Sequence, residues 1–143
     1  MQSFTLQRGD TALITGATAG IGFEFAQQLA QRGVNLVFVA RNEERMENIS
    51  HELSQKFGIS TEVLVADLSV HKDIDAVAQR AAGKDIDLVI NNAGFGLNKS
   101  FFEARIDDEQ ALLDVLVTAV LRISHSALPG MKQRLSLIHI SEP

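Results

Sequence analysis

Over the first ninety residues, short apolar runs alternate with longer stretches in which apolar residues recur every three or four positions. The runs are Thr11–Thr15 (TALIT), Val34–Ala40 (VNLVFVA), Thr61–Ala66 (TEVLVA) and Ile86–Ile90 (IDLVI), and each reads as a strand. Between them, Ile21, Phe25 and Leu29 mark a helical stripe that Gly33 stops. Asn42 caps a second helix, Glu43 and Glu44 suit its positive first turn, and Met46, Ile49, Leu53 and Phe57 form its stripe. Ser69 is placed to cap a third, with Ile74, Val77, Ala78 and Ala81 inward. A fourth begins near Asp107 and is expected to stop near Leu128, at Pro129–Gly130. Leu112, Leu113, Val115, Leu116, Val117, Ala119, Val120, Leu121 and Ile123 make it apolar nearly all round, the pattern of a helix buried on one side by a sheet and on the other by a partner subunit. Alternating strands and helices predict one α/β domain built on a parallel sheet, with nearly unbroken apolar strands covered on both faces.

The chain has 143 residues, 45% hydrophobic and 22% charged, which suits a single globular core. Thirteen Lys+Arg against eighteen Asp+Glu leave a formal charge of −5, arguing against a nucleic-acid partner. With no cysteine there is no disulfide framework, thiolate metal site or cysteine nucleophile. Met1–Asp10 lacks a signal-peptide pattern, and no run is expected to reach the roughly eighteen apolar residues of a bilayer span, so the expected setting is the cytoplasm, without a membrane partner. His51 and His71 stand at no metal-ligand spacing, and no metal site is expected. Ser124, His125 and Ser126 lack the acidic partner and nucleophile turn of a hydrolase.

The first strand runs directly into Thr15-Gly16-Ala17-Thr18-Ala19-Gly20-Ile21-Gly22, which opens the first helix. A helix N-terminus offers unpaired N–H groups and partial positive charge, so it holds a phosphate well. Glycine permits the tight turn, removes the Cβ that would block a pyrophosphate, and lets helix and strand pack closely. Asp67-Leu68 ends the third strand, and Asn91-Asn92-Ala93-Gly94 follows the fourth.

With these three motifs in this order, the sequence resembles the short-chain dehydrogenase/reductase family. The family's T-G-x-x-x-G-I-G pattern matches from Thr15 to Gly22, its acidic adenine contact matches Asp67-Leu68, and its N-N-A-G signature matches Asn91–Gly94. The resemblance covers about residues 10–134. It implies a Rossmann-type doubly wound sheet with strand order 3-2-1-4, and an oxidoreductase moving a hydride between a nicotinamide and a carbonyl or alcohol carbon. On this resemblance Gly16, Ala17, Thr18, Ala19, Gly20, Ile21 and Gly22 hold the pyrophosphate, Arg41 and Asn42 the adenosine-ribose end, Asp67 and Leu68 the adenine, and Asn92, Ala93 and Gly94 the route to the nicotinamide ribose. The implied partners are a small carbonyl or alcohol substrate and copies of the same chain, as a homodimer or homotetramer.

The residue ending the second strand of such a sheet lies beside the adenosine ribose. A carboxylate there would bond the ribose hydroxyls and repel a 2′-phosphate, but the chain has Ala40 followed by Arg41. That exchange favours NADP over NAD, because a guanidinium binds phosphate bidentately. It also weighs against a methyltransferase of similar topology.

In the resembled family a tyrosine exchanges the substrate proton, a lysine four residues on lowers its pKa, a serine orients the substrate, and an asparagine on the fourth helix extends the relay. This chain has no tyrosine. The best register puts Leu116 at the asparagine's position, where it also fits an apolar core stripe. No catalytic residue is assigned. The alternative to an oxidoreductase is a non-catalytic NADP(H)-binding sensor or regulatory module. Phe95-Gly96-Leu97 and Phe101-Phe102 suggest an apolar margin to the site.

The last nine residues, Leu135–Pro143 (LSLIHISEP), imitate a fifth strand of the family's I-S-S type in Leu137–Ser141. They resemble more closely the translation of a transposase adapter used in sequencing libraries, and are excluded from the functional reading. Residues 1–134 are then expected to be the NADP-binding half of a domain truncated after its fourth helix. Ile138 and Ile140 would stand in for the fifth strand.

Overall fold

The computed structural model describes residues 5–134, and its architecture follows from side-chain alternation along two central strands. In β1 (Thr11–Thr15), Ala12 and Ile14 face one way and Leu13 the other. In β2 (Asn35–Ala40), Leu36 and Phe38 share the first face, Val37 and Val39 the second. All seven are at most 2% exposed. Helices α1 (Gly20–Gln31) and α2 (Glu43–Phe57) cover the first face; α3 (His71–Ala81) and α4 (Ile106–Gln133) cover the second. The flanking strands β3 (Thr61–Val65) and β4 (Leu88–Ile90) run parallel to the central pair in the order β3-β2-β1-β4. Leu13 is in register with both Val37 and Val89, and Phe38 with Val63. The doubly wound parallel sheet and its strand order are as the sequence implied.

The flanking strands are half-covered rather than buried on both faces. Val65 on β3 is exposed, and Glu62 on the same strand accepts from Arg80 of α3. The fourth run begins two residues late as a strand. Ile86 is fully buried but precedes β4, and Asp87 instead donates its N–H to the Thr11 carbonyl and accepts from the Thr11 N–H. The tail Leu135–Pro143, with its strand-like Ile138 and Ile140, lies outside the described residues.

Three helices differ from expectation. On α1 the buried face is Gly22, Ala26, Leu29 and Ala30, whereas Ile21 and Phe25 point outward. Small residues let α1 sit close on the sheet, so the inward stripe is one position away from the large apolar side chains. Ser69 does not cap α3: the residue before the helix is Val70, and Ser69 turns both its hydroxyl and its N–H back to Asp67. Asn42 caps α2 as predicted, accepting from the Arg45 N–H at 3.0 Å.

Helix α4 does not stop at Pro129. Its inward stripe continues through Ala127 and Met131, both buried, and this packing outweighs the backbone bond that proline removes. It also contains a π-helical turn, Asp114–Thr118, between α-helical stretches Ile106–Leu113 and Ala119–Gln133. The helix is long and apolar enough by length and composition to cross a bilayer, which corrects the expectation that no such stretch exists. Here it forms a layer of the fold, packed on α3 through Ile123 and Ala127 and tied to it by the 2.6 Å Arg122–Asp75 ion pair. Leu113, Val117, Val120, Leu121 and Leu128 lie exposed along its outer side; Leu116 is exposed too and does not belong to the core stripe.

Candidate functional site

The turn after β1 is shaped by what lies across from it. Gly16 has φ +66°, and a Cβ there would stand 2.8 Å from the Ala93 Cα. At Gly22, in the first turn of α1, a Cβ would overlap the Gly16 carbonyl oxygen and Asn92 Nδ2. Both glycines therefore permit the Thr15–Gly22 turn to press against the Asn92–Gly94 turn that follows β4.

Hydrogen bonds fasten the two turns. Thr15, buried at the end of β1, accepts on Oγ1 from the N–H groups of Asn92 and Ala93, both at 3.0 Å. Asn92 Nδ2 donates to the Thr15 carbonyl at 3.2 Å and the Gly16 carbonyl at 3.0 Å. Asn91 Nδ2 reaches across to the Ser124 hydroxyl of α4 at 3.1 Å. Neither Thr15 nor Ser124 was singled out for this role in the sequence, because each acts on a partner brought near only by the parallel sheet.

These turns border a cleft of about 970 Å³ at the C-terminal ends of the strands, the usual ligand position in an open α/β sheet. Of the predicted residues it collects Gly16, Thr18, Ala19, Arg41, Asn42, Asp67, Leu68, Asn92, Ala93 and Gly94. Ala17 does not line it but is fully buried under α1, and Ile21 points to solvent. Gly20 and Gly22 shape the start of α1 without lining the cleft. Val39, Ala40, Ala66, Ser69, Phe95, Ala111 and Val115 complete the lining, the last two from α4. Phe95 supplies the apolar margin expected of the Phe95–Leu97 segment; Phe101 and Phe102 are exposed elsewhere.

The cleft has distinct electrostatic ends. No side chain caps α1, and its first turn holds no acidic residue, so nothing offsets the positive end of the helix. By contrast α2 is capped by Asn42 and carries Glu43 and Glu44 in its first turn. Across the cleft, Asp67 receives the Ser69 hydroxyl at 2.7 Å and the Ser69 N–H at 2.9 Å, both on Oδ1. The Ser69 hydroxyl chiefly, then its N–H, with a smaller contribution from the Arg41 charge, hold this carboxyl below the usual carboxylate range. Asp67 is thus an anionic acceptor beside the cationic Arg41. An uncapped helix start, an exposed guanidinium and a fixed carboxylate therefore border one cleft, an arrangement suited to a ligand that carries both anionic groups and hydrogen-bond donors. Among the described residues no cluster of side chains suits a metal ion.

At the wall formed by α4, the π-helical turn carries Leu116 against the Asn-Ala-Gly turn. A Cβ on Gly94 would lie 3.1 Å from Leu116 Cδ2. One position earlier on the same turn, Val115 lines the cleft. Asp114 is buried at the start of the turn and accepts from His71 Nε2 at 3.1 Å and the Thr118 hydroxyl at 3.2 Å. His71 foremost holds the Asp114 carboxyl below its usual range.

The chain matches the sequence pattern of the family described as short chain dehydrogenase over residues 10–141, past the Arg134 to which the sequence resemblance extended. A very-long-chain 3-oxoacyl-CoA reductase of Laccaria bicolor is 34% identical over 141 residues, 94% of this chain and 41% of its own length. Human inactive hydroxysteroid dehydrogenase-like protein 1 is 31% identical over 131 residues, covering 90% and 40%. The solved structure of a short-chain dehydrogenase from Sphingobium yanoikuyae in complex with NADPH superposes with a TM-score of 0.86 at 34% identity, covering 89% of this chain and 50% of that one. The chain thus spans about two-fifths of the length of the curated relatives it matches.

Proposed function

Because the chain belongs to the short-chain dehydrogenase family, we propose that its cleft binds NADP(H), in preference to NAD(H), as the cofactor-binding half of an oxidoreductase acting on a small carbonyl or alcohol substrate. The observation that carries this reading is the cleft itself, where the unneutralised start of α1 meets Arg41 and Asp67. Amide groups of the Gly16–Gly22 turn donate to the diphosphate. Arg41 takes the 2′-phosphate as a bidentate donor, and no carboxylate at Ala40 opposes it. Asp67 accepts from the adenine amino group. Asn92, Ala93 and Gly94, locked to Thr15 and Gly16, hold the floor of the nicotinamide side. The bound cofactor supplies the hydride. The expected setting is the cytoplasm, with the intact enzyme a homodimer or homotetramer.

Fluorescence titration with NADPH and NADH tests the assignment. NADPH should bind more tightly, and Arg41→Ala should weaken NADPH by about tenfold or more, the value of a charge-assisted bond pair, while leaving NADH nearly unchanged. Equal affinity for both cofactors, unaltered by Arg41→Ala, would overturn the NADP preference.

Leu116 favours a second reading. On the family resemblance it takes the register of the relay asparagine, and it packs on Gly94. A module that binds NADP(H) without turnover would tolerate that exchange. Reduction of any carbonyl compound by the intact protein with NADPH refutes that reading.

A further inference from the structure

Arg45 is exposed in the first turn of α2 and does not line the cleft, yet its side chain reaches the cleft's rim. Its Nε donates to the Thr18 carbonyl at 2.7 Å, a short charge-assisted bond joining elements 27 residues apart. Its own N–H is held by the Asn42 cap, so the root of the side chain is fixed as well as its tip. In a planar trans peptide the carbonyl and the following N–H point in opposite directions. Anchoring the Thr18 carbonyl therefore sets the direction of the Ala19 N–H, and both residues line the cleft.

We propose that Arg45 is a positioning residue for the cofactor's pyrophosphate: it clamps the Thr18–Ala19 peptide so that the amide donors of the glycine turn are aimed before the ligand arrives. This rests on the reading of the cleft as an NADP(H) site. The bond ties two surface turns and no core side chains, so its loss releases the Thr18–Ala19 peptide without unpacking the fold, and its effect falls on binding. The segment Arg41–Arg45 then serves both ends of the ligand, with Arg41 at the ribose phosphate and Arg45 behind the pyrophosphate turn.

The test compares NADPH with adenosine 2′-monophosphate, which keeps the 2′-phosphate and lacks the pyrophosphate. Arg45→Ala should weaken NADPH about tenfold, leave adenosine 2′-monophosphate within about twofold, and keep the melting temperature within about 2 °C. Arg45→Lys, which retains a donor and the charge, should recover most of the NADPH affinity. Unchanged NADPH affinity in Arg45→Ala overturns the proposal, as does equal weakening of both ligands or a melting temperature that falls together with the affinity. A wild-type chain that binds no NADPH overturns instead the cofactor reading beneath it.

Discussion

Replacing Thr15 by valine keeps the shape of a buried side chain and deletes a single oxygen. That oxygen accepts two backbone N–H groups, from Asn92 and Ala93, each at 3.0 Å, and Thr15 itself is 1% exposed. A buried donor stripped of its acceptor costs about 1–3 kcal/mol. Asn92 and Ala93 are half-buried, so water relieves part of that cost and each donor belongs at the lower end. The two together should cost about 2–3 kcal/mol, a shift of about 1–2 M in the urea midpoint for a chain of this size. Thr15→Ser provides the control. It keeps the acceptor and removes one methyl group, which should cost about 1 kcal/mol. Urea unfolding followed by circular dichroism distinguishes the pair, with valine clearly the less stable. If serine proves as damaging as valine, the hydroxyl is not what holds the turns together.

Gly22→Ala should destabilise by more than about 2 kcal/mol and lower the melting temperature, because the new methyl overlaps both the Gly16 carbonyl oxygen and Asn92. Asp114 should shape the acid limb of stability. His71 holds its folded pKa below the unfolded value, so the stabilisation is complete above about pH 4 and is lost as pH falls through the lower folded value. Asp114→Asn should flatten that limb in stability measured from pH 2 to 6.

The sheet and the cleft were legible because they rest on local signals. Strand cores in β1 and β2 are unbroken apolar runs, and the glycine turn, Asp67 and the Asn-Ala-Gly turn each sit where a strand ends. Legibility failed where tertiary contact decided the outcome. Apolar size pointed to Ile21 and Phe25, but close approach of α1 selected Gly22 and Ala26. Ser69 has a cap's chemistry, yet Asp67 two residues earlier captures both its donors. Pro129 reads as a stop until Met131 is seen buried beyond it. Thr15 and Arg45 were silent for another reason: their partners lie 77 and 27 residues away, and no periodicity announces a pairing across such distances.

The π-helical turn in α4 gives that helix one residue to spare. Each residue of an α-helix turns it by about 100°, and the wide turn Asp114–Thr118 absorbs an extra residue, so that the half presenting Ala111 and Val115 to the cleft stays in phase with the half presenting Ile123, Ala127 and Met131 to the core. Loss of one codon inside the turn would relax it into regular helix and leave both halves facing as they do. The stretch Ala119–Gln133 has no such slack: a codon lost between Ile123 and Ala127 would put Leu128 in the inward place of Ala127. A family pedigree of α4 should therefore gather its single-residue gaps at Asp114–Thr118.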